Sequence, residues 1–136
     1  MNYGIQVGDA LFEIGEMEIL QYFFANAVGY NPEESRYATL THDFYLKHNV
    51  TKENVDRLLQ ELETLKADFE ALPPKSMISA VHGVPFEAVV PCNTDADTLA
   101  EYFLTRERED LIETLEGVFL SVKEGRGDFE LVEITD

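Results

Sequence analysis

The chain has 136 residues, 27 of them acidic and 10 basic, for a formal net charge of −17. That length suits one domain over residues 1–136, and the 45% hydrophobic content with 9 Phe and 6 Tyr supplies a core that argues against wholesale disorder. The charge argues against nucleic acid, whose phosphates are held by Lys and Arg, and against anionic membrane surfaces; a basic protein partner is what such a field attracts.

Residues 3–14 read as a β-hairpin. Tyr3, Ile5 and Val7 alternate with Gly4 and Gln6, and Gly8–Asp9 suits a two-residue type II′ turn. Such a turn pairs Val7 with Ala10, Ile5 with Phe12 and Tyr3 with Ile14, all apolar and on one face. A helix is expected from about Glu16 to Val28, with Leu20, Phe23, Phe24 and Ala27 in helical spacing and Gly29 as its C-cap. Residues 30–38 read as a loop and 39–48 as a short helix.

The clearest element is a helix from about Lys52 to Leu72. Thr51 is placed to cap it, Val55, Leu58, Leu59, Leu62, Leu65, Phe69 and Leu72 form its stripe, and Pro73–Pro74 ends it. Glu53 and Arg57 are spaced as an i,i+4 ion pair. Short strands are expected at Met77–Val81 and Phe86–Val90 around a turn at 82–85. A short helix is expected over Thr98–Leu104, a longer one over Glu109–Glu124 closed by Gly125, and a last strand over Phe129–Ile134 after the tight turn Arg126–Gly127–Asp128. Hairpins beside helix pairs define an α+β fold: a small, mainly antiparallel sheet from the N-terminal hairpin and the C-terminal strand, packed with about four helices.

Motifs that carry chemistry are missing from the sequence. Met1–Gly4 lacks the basic and apolar regions of a leader, and no apolar run approaches the roughly 18 residues of a membrane span. Cys92 stands alone, so no disulfide framework forms within the chain, and a reducing cytoplasm is the expected setting. His42 and His48 are six apart, off one helix face, so no metal site is expected. Asn93–Thr94–Asp95–Ala96–Asp97 starts like a calcium loop, but Thr98 and Leu104 stand where Gly and Glu are needed, and helix-capping is the better reading. No phosphate loop, dinucleotide fingerprint or nucleophile elbow is present, so no cofactor is expected. An enzyme would need a site assembled by the fold, around Cys92 and His82; an acidic regulatory domain is a further alternative.

The surface offers more. Residues 30–45 mix Tyr30, Tyr37 and Tyr45 with Glu33, Glu34 and Asp43, and tyrosine among acids is hot-spot composition for a basic partner. Covering the core edge is an equally good use of those aromatics. The Asp95/Asp97 loop with Glu107 and Glu109 is a competing acidic region.

The chain resembles the immunity protein 70 family of bacterial polymorphic toxin systems. Three segments carry the likeness: Val7–Gly15 leading into Ile19–Phe24, the helix ending Ala71–Leu72–Pro73–Pro74–Lys75, and Asp97–Thr105 continuing to Asp110–Leu115. Where family members often carry Trp, this chain has Ser79 or Ala80, and Phe86. The resemblance implies a non-enzymatic protein that protects its cell by binding a cognate toxin domain, usually encoded alongside. Acidity extends that implication to a toxin with a basic surface, such as a nuclease.

Overall fold

The computed structural model describes residues 2–28, 36–73, 80–81, 84–85 and 91–134. Strand β1 (Asn2–Val7) lies between β2 (Ala10–Glu16) and β5 (Phe129–Ile134) in an antiparallel sheet. Helices α1 (Met17–Val28), α2 (Val55–Glu70) and α3 (Leu111–Lys123) and a π-helix at Leu40–Leu46 complete the α+β fold. β3 (Ala80–Val81) and β4 (Val84–Pro85) pair as a separate two-stranded ribbon.

The hairpin follows its expected register for Val7↔Ala10 and Ile5↔Phe12. Gly8 takes φ +60 while Asp9 stays at negative φ, the pattern of a type II′ turn. Beyond that the register changes: Tyr3 pairs with Gly15 rather than Ile14, across a bulge. Gly15 at φ +120 supplies the backbone for it. A Cβ there would fall 2.8 Å from Ile19 Cδ1 and 2.9 Å from the Arg106 Cβ.

Three helix boundaries differ from expectation. Glu16 closes β2, so α1 starts at Met17. α2 proper begins at Val55, after a turn held by the side chains of Thr51 and Asn54. Asn54 Oδ1 accepts from the Thr51 amide at 2.8 Å, and Thr51 Oγ1 accepts from the Glu53 amide at 3.2 Å. Arg57 pairs forward with Glu61 at 3.6 Å, where the spacing had suggested Glu53. The third difference is larger. Instead of a helix over 98–104, a single 3-10 turn at Leu99–Glu101 gives way to bridges Cys92↔Phe103 and Leu104↔Asp110. The Tyr102 and Phe103 carbonyls accept from the Asn93 and Leu111 amides, which diverts the bonds a helix would use.

The short helix expected at 39–48 is present in wider form, with the Lys47 amide reaching back five residues to the His42 carbonyl at 3.1 Å. β4 begins at Val84, inside the expected turn. Gly29, most of 30–38, His82 and Phe86–Val90 lie outside the described residues.

Burial unites these elements. Phe23 of α1 meets Phe103, Phe24 and Phe69 at ring separations of 5.1, 5.2 and 5.7 Å. Phe44 of the π-helix meets Phe119 of α3 at 5.3 Å and Phe129 of β5 at 6.0 Å. Val55, Leu58, Leu62, Leu65 and Phe69 are the buried stripe of α2, while Leu72 beyond its end is exposed.

Candidate functional site

Two acidic regions can be built from the residues upward. The first is the described part of the tyrosine segment, residues 36–45. Glu61 of α2 accepts from the Thr39 amide at 2.8 Å and the Leu40 amide at 3.0 Å, so a side chain from another helix caps the π-helix. The Tyr37 hydroxyl donates to Asp68, and Arg36 pairs with the same carboxylate at 3.2 Å. Tyr37 is only 6% exposed. Burial first, then the Asp68 hydrogen bond and charge, push its phenol up to about 12 against the pull of Arg36. Tyr45 is half-buried and stacks on Phe24 at 4.6 Å, and burial raises its phenol too. Asp43 is half-buried and accepts from Asn54 Nδ2 at 3.2 Å. Tyr30, Glu33 and Glu34 lie outside the described residues.

The second region is a cleft of about 600 Å³ between the β2 edge and the start of α3. Leu11, Phe12 and Glu13 form one side, and Glu107, Glu109, Asp110 and Glu113 line the other. The strand and loop are joined where the Arg106 amide donates to the Ile14 carbonyl at 2.8 Å. Thr105, fully buried, holds the loop: its Oγ1 accepts from the Glu109 amide at 3.2 Å, and its own amide donates to the Glu109 carbonyl at 2.8 Å. Asp110 caps α3 by accepting from the Glu113 amide at 3.0 Å. Burial raises the Asp110 pKa, while that amide bond works to lower it and the Glu113 charge adds to the rise.

Sequence reasoning picked out Glu107 and Glu109 but not Glu13 or Leu11. Asp95 and Asp97, grouped with them, are exposed and are not part of the cleft lining. Asn93 Oδ1 accepts from the Asp95 amide at 3.1 Å, which makes that loop an Asx turn. Among the described residues no three His, Cys, Asp or Glu side chains are grouped to hold a metal ion. Cys92 is 9% exposed, with its backbone bridged to Phe103.

The structure is thus an acidic α+β domain with carboxylates gathered along one cleft. The model of the family described as immunity protein 70 matches residues 5–131, and the chain belongs to that family. No curated protein and no solved structure matches the chain. The family is one of generally non-enzymatic proteins and implies a toxin partner. Among the described residues no helix is long and apolar enough to cross a membrane.

Proposed function

We propose that this chain binds a cognate bacterial toxin domain in the cytoplasm and neutralises it by occupying its surface, with no cofactor and no chemistry of its own. Membership of the immunity protein 70 family is the observation that carries the reading. The excess of 27 acidic over 10 basic residues supports a basic toxin surface, of the kind a nuclease needs to hold nucleic acid. Within the 30–45 segment, Tyr30, Glu33, Glu34, Tyr37, Asp43 and Tyr45 are the proposed contacts. The Tyr37 hydroxyl also donates to Asp68, which ties residues 36–45 to α2.

Stopped-flow mixing with the toxin domain encoded beside this chain tests the reading. Association should slow steeply as the Debye length shrinks from about 10 Å to 3 Å. Inhibition with a salt-independent on-rate would remove electrostatic capture. No binding at all would remove the function. Cys92→Ser should protect cells as the parent does; loss of protection by the folded variant would favour an enzyme.

A further inference from the structure

The sheet has two faces, and the helices use one. Strand pairing puts Ile5, Phe12 and Leu131 on the inner face and Gly4, Leu11 and Val132 on the outer. The inner face meets the helices: a Cβ on Gly117 of α3 would touch the Phe12 ring at 3.1 Å, and Phe129 packs on Phe44. On the outer face a Cβ on Gly4 would sit 2.8 Å from Ile134 Cδ1 and 3.1 Å from Leu11 Cδ1, so those two side chains lie across the bare glycine. The result is an apolar strip whose free end, Leu11, is 47% exposed. β2 is also a sheet edge among the described residues, and its free side opens into the carboxylate cleft.

We propose that this outer face, from Ile134 across Gly4 to Leu11 and over the β2 edge, is a second surface on which the partner toxin docks. The occupant is a segment bearing an apolar side chain next to Lys or Arg. The inference rests on the toxin-binding reading and adds to it a surface separate from residues 30–45. Charge fixes the class of occupant. Glu13 and Glu130 share the face with Leu11, and Glu107, Glu109 and Glu113 stand across the cleft. None of the described lining residues is a cation, though Arg106 beside the cleft pairs with Glu107 at 3.7 Å, so Glu13, Glu109 and Glu113 carry most of the charge offered to a partner. A second copy of this chain would bring the same carboxylates against each other, which disfavours self-association there. Leu11 fills the role of the central apolar anchor, with the acids as a rim that steers and orients.

The test uses the full chain and the purified toxin domain encoded beside it, with melting temperatures checked for every variant. Leu11→Asp should weaken binding by roughly thirtyfold or more in titration calorimetry. Glu107→Gln, Glu109→Gln and Glu113→Gln combined should slow association and flatten its salt dependence, with a smaller change in dissociation. Should Leu11→Asp lower the melting temperature, amide exchange of the parent replaces it: amides at 11–13 and 130–134 should gain protection on adding toxin. If the parent binds, and Leu11→Asp binds within about threefold of it or those amides do not change, the outer-face inference is overturned while the toxin-binding reading stands. If the parent does not bind, both are overturned.

Discussion

The Tyr37 hydroxyl and the Asp68 carboxylate lie 31 residues apart in sequence and share a hydrogen bond. Arg36 closes on the same carboxylate oxygen at 3.2 Å. Together with the two amides held by Glu61, this bond ties the segment entering the π-helix to one side of α2. A region whose composition suggests a sticky surface is thus anchored through one of its own tyrosines.

That bond makes stability sensitive to alkali. The Tyr37 phenol is raised to about 12 by burial and by Asp68, whereas an unfolded tyrosine titrates near 10. Its contribution is fully present below about pH 10 and is lost as pH climbs from about 10 to about 12. Urea midpoints measured from pH 8 to 11 should fall less steeply for Tyr37→Phe than for the parent. Equal slopes would assign the alkaline loss to other groups.

Glu61 should be worth more than its ion pair. Removing it leaves two amides of the π-helix start without their acceptor, at about 1–3 kcal/mol for an unsatisfied buried group. Glu61→Ala is expected to lose about that much in denaturant unfolding and to speed amide exchange at Thr39 and Leu40. Glu61→Gln, which keeps an acceptor oxygen, should lose clearly less.

Local pattern explains which parts of this fold can be read from sequence. The hairpin register up to Ile5↔Phe12 follows from alternation and Gly8. α2 and α3 follow from their apolar stripes, from Pro73 and from Gly125, which takes the left-handed φ of +76. The bulge is hidden because Ile14 keeps its apolar identity, and its burial, whether or not an extra residue is inserted. The failed helix at 98–104 is hidden because its carbonyls are claimed by Asn93 and Leu111 from outside the segment. The candidate surfaces follow the same division. Glu107 and Glu109 are visible as acids, but their approach to Glu13 depends on the Arg106 amide reaching Ile14. Composition likewise does not separate Tyr37, turned onto Asp68, from a tyrosine facing solvent.

Asp110 separates capping from charge. Its side chain accepts from the Glu113 amide at 3.0 Å while burial works against its ionised form. Asp110→Ala should cost about 1 kcal/mol through the lost cap. Asp110→Asn keeps the acceptor and should unfold within about 0.5 kcal/mol of the parent at neutral pH. Because the folded pKa is raised, the parent should lose stability relative to the Asn variant as pH rises through the carboxylate range. Paired thermal melts at pH 3 and pH 7 would reveal a reversed trend.

The β1–β2 turn and the approach to β5 touch backbone to backbone. A Cβ at Gly8 would fall 2.0 Å from the Arg126 carbonyl oxygen, and one at Gly127 would fall 2.2 Å from the Gly8 amide nitrogen. Gly8→Ala also meets the positive φ of +60, so it should cost more than about 1 kcal/mol. Gly127→Ala should cost a similar amount by forcing the turns apart. Since both open the same contact, the double variant should lose less than the sum of the two singles; strict additivity in urea titrations would separate the two effects.

The middle strand of the sheet precedes both its neighbours in the chain, β2 closely and β5 distantly. β1 pairs with β2 across a two-residue turn, but Ile5 waits for Leu131 to complete its other side. At the usual pace of synthesis that interval is on the order of ten seconds. A nascent chain therefore carries an unfinished hairpin with one open flank, and the surface spanning Leu11, Gly4 and Ile134 forms only once β5 has emerged.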